Sequence, residues 1–540
     1  MWWLAACAPE SPRDPWVASH PVEDPFDTVP GPSSDTGPTG DDPTTPPAPL
    51  GAEGRPVYLV MPDRFADGDP ANDGAGDPGC FDPNDPWRFH GGDWRGLADH
   101  ADYLAALGVG AVWITPPVVQ VGCGYHGYWA DLTDPDDRAV EPALGAEADL
   151  AALADALHAR DIWLVLDLVP NHVGRGARIV DQHPDWFHDD ADCAGSGQPD
   201  VDCALAGLPD FDQYNPDASA YLVDQAVDWV TRYDADAVRL DTAKHLPADW
   251  LGGTWVPALQ RDRDRPVIGE IFDEGGYDQI ARYLDAGLPT AFDFPLRRAL
   301  VDAVGHGGSI DLVASRVKES VDRFGIDQAN RMVHMLDNHD VPRFTEEVQA
   351  RPADEVARRY AMGLGILATA PGVPQLTWGA ELGMRGGGDP DNRRDFPDWG
   401  FDPATRTGDP DGFLADVGGT WETTRGWLAV RARHPALSTG GYGEVWRHND
   451  TGPALWVYFR SSGEDRVFVV VHAGTTDSGP VRIHLQQANG IPAADKAAMP
   501  DGVPLAIEPT DPGVVGARVE GGELVFDDLP ALSVIVLDVG

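Results

Sequence analysis

Lysine is almost missing. Lys244, Lys318 and Lys496 are the only three in 540 residues, and 39 basic side chains face 88 aspartates and glutamates, for a formal net charge of −49. Residues 1–50 hold eight acids and one base, so the shortage of positive charge runs through the body of the chain. Such a surface repels nucleic acid and anionic membranes and suits neutral ligands or divalent cations; adaptation to salt accounts for it equally well. Cysteine is scarce too, five in all, and no His/Cys set has the pattern of a zinc or iron site. No apolar run is long enough to span a bilayer. Apolar bulk is plentiful: hydrophobic residues make up 42% of the chain, with 18 tryptophans. The chain is too long for one ordinary domain, although a barrel can absorb most of it.

The start, "MWWLAAC", resembles the lipobox of bacterial lipoproteins, which implies lipidation of Cys7 and a protein exported to the cell envelope or secreted. It departs from that pattern in lacking a basic residue before a stubby apolar run. From there to Leu50 the chain is rich in Pro, Asp, Thr and Gly, with twelve prolines in the first fifty residues, and reads as a tether (1–50) that buries too little to order itself.

From Arg55 onward short apolar runs alternate with helix-period segments. The runs are 57–62, 110–116, 162–170, 236–241, 266–272, 290–295, 331–337 and 372–378, with amphipathic stretches such as "DLAALADALHARD" between them. Eight such units predict an α/β fold, a TIM (β/α)8 barrel over 51–437, with a loop-rich insertion after strand three at 174–215. After "RGWLAVRARHPAL" the rhythm changes to "ALWVYFR", "RVFVVVHAG", "PVRIHLQ", "GELVFDD" and "LSVIVLDV", which predict an antiparallel β-sandwich over 438–540.

A barrel carries its chemistry at the C-terminal ends of its strands. Those ends supply Asp167, Asn171 and His172 in "DLVPNH", then Arg239, Asp241, Lys244 and His245 in "RLDTAKH". They continue with Glu270 in "GEIFD" and with Asn338, His339 and Asp340 in "LDNHD". A buried strand gains nothing by running into unpaired charge, and four such ends, on the third, fourth, fifth and seventh runs, point to a site.

With "GVGAVWITPP", "LPDFD" and "GVPQLTWGAELGM", these segments resemble the α-amylase family of glycoside hydrolases from about Val57 to Pro435. "MPDRFADGDPAND", "FHGGDWRGL", "YHGYW" and "DPDNR" look most like cyclodextrin glycosyltransferases and related bacterial amylases. The resemblance implies Asp241 as nucleophile, Glu270 as general acid/base and Asp340 as a third carboxylate that binds sugar hydroxyls. It implies Tyr128 as an aromatic platform flanked by His126 and Trp129, and His172 and His339 on hydroxyls of the ring being cleaved. Arg239 would stand beside Asp241, Lys244 and His245 on the leaving-group side, and Asp389 with Arg393 as a donor-side clamp. Calcium is the implied metal. One site would use Asp67, Asp69, Asn72, Asp73, the Gly91 carbonyl and Asp93, and a second Asn171, Asp210 and the His245 carbonyl.

The implied activity is hydrolysis of α-1,4-glucosidic bonds in starch, glycogen or maltodextrins by a monomer. Transfer, preference for cyclodextrins, and glycan binding without catalysis remain as rivals. Cyclising enzymes carry an aromatic residue four positions before the aspartate that matches Asp210; this chain has Ala206, and it is expected to lack their extra starch-binding domain, both of which favour water as acceptor. Export would let disulfides persist. With Cys7 set aside for lipid, Cys193 and Cys203 lie ten residues apart in the long loop, leaving Cys80 and Cys123 on barrel-top loops as the second pair.

Overall fold

The computed structural model describes residues 54–133, 138–348, 351–406, 412–447, 454–508 and 516–539; the tether over 1–50 and Cys7 lie outside the described residues. Eight parallel strands form one sheet: β1 (Val57–Val60), β2 (Ala111–Ile114), β3 (Trp163–Leu168), β4 (Ala237–Leu240), β5 (Val267–Gly269), β6 (Thr290–Ala291), β7 (Val333–Met335) and β8 (Val373–Thr377). Their order is β6-β5-β4-β3-β2-β1-β8-β7, and a parallel bridge between Phe292 and Val333 closes the ring. Each strand falls inside one of the eight apolar runs, which are mostly apolar because both faces are covered; the buried Asp167, Arg239, His334 and Gln375 are polar side chains within them.

The helices outside the ring follow local rules. In Pro216–Arg232, Asn215 accepts from Asp217 N at 3.0 Å and Ala218 N at 3.3 Å, and proline opens the first turn. Ala218, Tyr221, Leu222, Ala226, Trp229 and Val230 then recur on the face turned to the barrel. The insertion after β3 holds more structure than its composition announces: short helices at Arg178–Gln182, Asp190–Gly195 and Pro199–Asp202. Disulfides join Cys80 to Cys123 and Cys193 to Cys203. Loop-closure entropy gives the first, with its 43-residue separation, about 4 kcal/mol of stabilisation.

The C-terminal sheets hold β9 (Gly441–Arg447), β10 (Leu455–Ser462), β11 (Asp465–His472), β12 (Val481–His484), β13 (Ala506–Glu508), β14 (Arg518–Glu520), β15 (Glu523–Phe526) and β16 (Ser533–Asp538). They run β13-β16-β11-β10-β9 in one sheet and β12-β15-β14 in the other, around a core that includes Val457, Phe459, Phe468, Leu524 and Phe526. Strands β9, β13 and β14 were not expected: glycines dilute the first, and the others are three residues long, too short for a period to register.

Two buried arginines brace the junction with the barrel, Arg460 from the sheet side and Arg431 from the barrel side. Arg460, on β10, donates to Thr369 O at 3.0 Å, Asn330 Oδ1 at 2.9 Å and Gly441 O at 2.9 Å. Arg431 donates to Ala368 O at 3.1 Å and Gly372 O at 2.6 Å. Ala368 and Thr369 end the helix Ala353–Thr369, so both guanidinium groups sit where helix carbonyls are unpaired and the helix dipole is negative.

Candidate active site

Strand register assembles the site. Asp167 of β3 pairs in register with Arg239 of β4, and Leu240 with Gly269 of β5, so one further step sets Asp241 beside Glu270. Side chains alternate along a strand, hence Arg239 and Asp241 face the same interior. Arg239 is fully buried there and is shared by three carboxylates. Its Nη1 lies 2.6 Å from Asp241 Oδ1 and 3.0 Å from Asp167 Oδ1, and its Nη2 lies 2.9 Å from Glu270 Oε2. The guanidinium also stacks over Trp113 at 5.0 Å and Tyr128 at 5.5 Å.

The carboxyls are in unequal settings. Burial pushes Glu270 up to about 8; Arg239 opposes this, while Asp241 and Asp340 add to it. Burial likewise raises Asp167 to about 7 against the pull of Arg239. Asp340, whose burial works the other way, is held below the ordinary carboxylate range by His339, Arg393 and Arg239. Thr242 N donates to Glu270 Oε2 at 2.9 Å from a left-handed turn (φ 48°), which fixes the acid's orientation.

Tyr128 donates to Asp167 Oδ2 at 2.8 Å and stacks on His339 with centroids 5.3 Å apart and planes 8° apart. His126 accepts from Tyr128 N at 3.1 Å and meets Trp129 edge-on at 4.5 Å. Burial holds His126, His172 and His339 below the usual imidazole range, His339 at about 3; neutral rings can both donate to and accept from hydroxyls. Arg393 reaches Asp340 at 3.3 Å and Asp389 at 3.2 Å, and its Nε donates to His339 O at 2.8 Å. Lys244 N donates to Glu270 O at 3.2 Å, and His245 Nδ1 bonds Asp200 O at 2.7 Å.

The supporting residues were not legible beforehand. Trp113 Nε1 donates to Asp167 at 3.0 Å; Asn392 Nδ2 donates to His339 O at 2.8 Å and Val341 O at 3.0 Å; Arg343 Nε donates to Asn392 O at 2.8 Å. The available signals were a tryptophan inside a β-strand run and the arginine closing "NHDVPR".

Among the described residues no three His, Cys, Asp or Glu side chains form a metal cage. The oxygens named from the sequence divide. Asp93 is saturated by Gly68 N, Asp69 N, Gly96 N and Asn72 Nδ2, and Asp69 pairs with Arg95 at 3.0 Å. Asn72 Oδ1 and Asp73 Oδ1 are buried without partners. Burial, then Asp67 and Asp93, push Asp73 up to about 6. A Cβ at Gly91 (φ +102°) would meet Asp73 Oδ1 at 2.6 Å, so glycine keeps that space open. At the second place Asn171 Oδ1 is an orphan, whereas Asp210 is already 2.9 Å from His188 Nδ1, a partner the sequence did not disclose. Orphaned buried oxygens beside a carboxylate suit a hard cation.

A barrel whose strand ends converge on paired carboxylates, a shared arginine and neutral histidines has the makings of a glycoside-processing enzyme. The family model for the α-amylase catalytic domain matches residues 59–200. A β/α-amylase of Paenibacillus polymyxa is 31% identical over 439 residues, 77% of this chain and 33% of that protein. A cyclomaltodextrin glucanotransferase of Geobacillus stearothermophilus is 28% identical, covering 78% of this chain and 60% of its own. The crystal structure of an Anoxybacillus α-amylase superposes with a TM-score of 0.74 at 26% identity, over 91% of this chain and 99% of that one. The chain belongs to the α-amylase family of glycoside hydrolases and transferases. It spans between a third and three-fifths of the length of the curated relatives named here.

Proposed function

We propose that the protein is a retaining hydrolase of α-1,4-glucosidic bonds, with 51–437 as its catalytic unit and 438–540 as an accessory sandwich. The observation that carries this is the unequal pair on Arg239: Glu270 raised to about 8 by burial, Asp241 ion-paired at 2.6 Å. Glu270 gives its proton to the glycosidic oxygen as Asp241 attacks the anomeric carbon. Water, deprotonated by Glu270, then releases the sugar from Asp241 with its configuration restored. Asp340, held ionised, takes hydroxyls of the distorted ring, and Tyr128 carries its face. Transfer to a sugar acceptor is the second reading, favoured by the glucanotransferase relatives. The exposed methyl of Ala206, where an aromatic ring would be needed to wrap the glucan, favours water.

Product analysis on amylose, cyclodextrins and pullulan tests the specificity: linear α-1,4 oligosaccharides from amylose support it, and cyclic products or a preference for pullulan count against it. Proton NMR during early turnover should show the α-anomer first; β-anomer release would sink the double displacement. Because Glu270 must be protonated to act as acid, kcat/KM should fall as pH rises through about 8. A profile flat to pH 9 would remove Glu270 from that role.

Calcium is the cation we assign to the Asn72/Asp73 place and to the Asn171/Asp210 place, where it would pin loops and take no part in bond cleavage. A ligand bound only by the native state adds about 2.7 kcal/mol at a hundred times its Kd. Chelation should therefore lower the melting temperature and calcium restore it. An identical melt in chelator would speak against both places.

A further inference from the structure

Trp87 leaves 48% of its surface open on a segment that is otherwise tied down. Its N donates to Asp85 Oδ1 at 3.1 Å, and Arg88 pairs with Asp85 at 3.0 Å. The residues on either side of it, Pro86 and Arg88, give their carbonyls to Arg64 Nη2 at 3.1 and 2.7 Å. Arg64 is buried, and its Nη1 donates to Arg393 O at 3.3 Å. One guanidinium thus spans both neighbours of the tryptophan and the arginine that holds Asp340 and Asp389. His90 adds a second strap, from Asp85 O at 3.2 Å to Asp395 at 2.7 Å. A scattered surface tryptophan needs no explanation; this one is braced from two sides against the sugar clamp.

We propose that Trp87 is a sugar-binding platform at the donor end of the site, taking a glucosyl unit of the α-1,4-glucan one or more positions beyond the ring held by Asp389 and Arg393. The inference rests on the α-glucan reading above. A pyranose offers a face of C–H groups edged by hydroxyls, and an indole is the broadest flat apolar surface a protein can set against it. Because the loop is pinned, little ordering is lost when the sugar lands, so most of the contact appears as affinity. Trp87 would then set the chain length from which the enzyme draws full binding energy.

The test is calorimetric titration of maltose and maltoheptaose into the full chain carrying Glu270→Gln, with and without a change at Trp87. Trp87→Ala should weaken maltoheptaose about tenfold, as expected for uncovering one sugar face, and lower the maltoheptaose-to-maltose affinity ratio accordingly. Trp87→Phe should keep most of that ratio, and Trp87→Leu, which retains apolar bulk without a planar ring, should lose it. Equal affinities for maltoheptaose with tryptophan and alanine overturn the platform, as does a leucine variant that matches phenylalanine. Failure of the Glu270→Gln protein to bind maltoheptaose at all overturns the α-glucan reading instead. Wild-type melting of each variant supports the platform, and a collapse of all three would assign Trp87 to folding and overturn it.

Discussion

Asp241→Asn should lose at least about three orders of magnitude in kcat and Glu270→Gln about two to four, each while melting close to the parent protein. Each replacement keeps the shape of the side chain and deletes one function. The amide at 241 cannot form the glycosyl intermediate, so its loss is the larger. The amide at 270 cannot deliver a proton, a contribution of about 10²–10⁴ in rate. Two secondary readouts separate the roles. Glu270→Gln should flatten the alkaline fall of the pH profile, since the group titrating near 8 is gone. It should also hydrolyse substrates with acidic leaving groups relatively well, because those leave without help. Near-parental activity in either variant would mean that the role has been assigned to the wrong residue.

Arg239→Met should damage stability as much as activity. The guanidinium answers Asp167, Asp241 and Glu270 at once, all within the barrel's mouth. Removing one member of a buried ionic group leaves uncompensated charge, which costs about 3–5 kcal/mol. The deficit should depend on pH in a defined direction. Arg239 lowers both Asp167 and Glu270, so without it their folded-state values rise further above those of the unfolded chain. Groups raised in the folded state are accommodated when protonated, and that stability drains away as pH climbs through their folded values. Urea denaturation should accordingly show a small gap from the parent near pH 5 and a large one near pH 8. Arg239→Lys should rescue only part of it, because one ammonium cannot span three carboxylates. A gap that is constant across pH would mean that the arginine matters for packing alone.

The eight barrel strands could be read in advance because mostly apolar runs recur with helix-period stretches between them, and polar residues gather toward the C-terminal ends of several. The carboxylates proposed for catalysis, Asp241, Glu270 and Asp340, follow closely on those runs or lie within them, so their placement could be read with the strands. What stayed hidden was whatever depends on two segments meeting. The register that sets Asp167 against Arg239 spans 72 residues, and the bond from Asn392 to His339 spans 53; neither leaves a trace in local periodicity. His188 was passed over for the same reason, since nothing in "DWFHDD" announces Asp210 as its partner. The three-residue strands β13 and β14 escaped because their pairing is decided by β15 and β16, not by their own sequence.

The two arginines at the end of helix Ala353–Thr369 bear on how this molecule can be handed down and recombined. Arg460 belongs to the sandwich, yet the acceptors it satisfies at Thr369 and Asn330 belong to the barrel. A gene break near residue 437 would part Arg460 from Thr369 and Asn330, and Asn330 Nδ2 from Gly440 O. The C-terminal sandwich is therefore poorly suited to shuffling between unrelated enzymes. Inheritance of the barrel carries the sandwich with it, and changes at Arg431 or Arg460 are tolerable only in step with the 365–372 segment they cap.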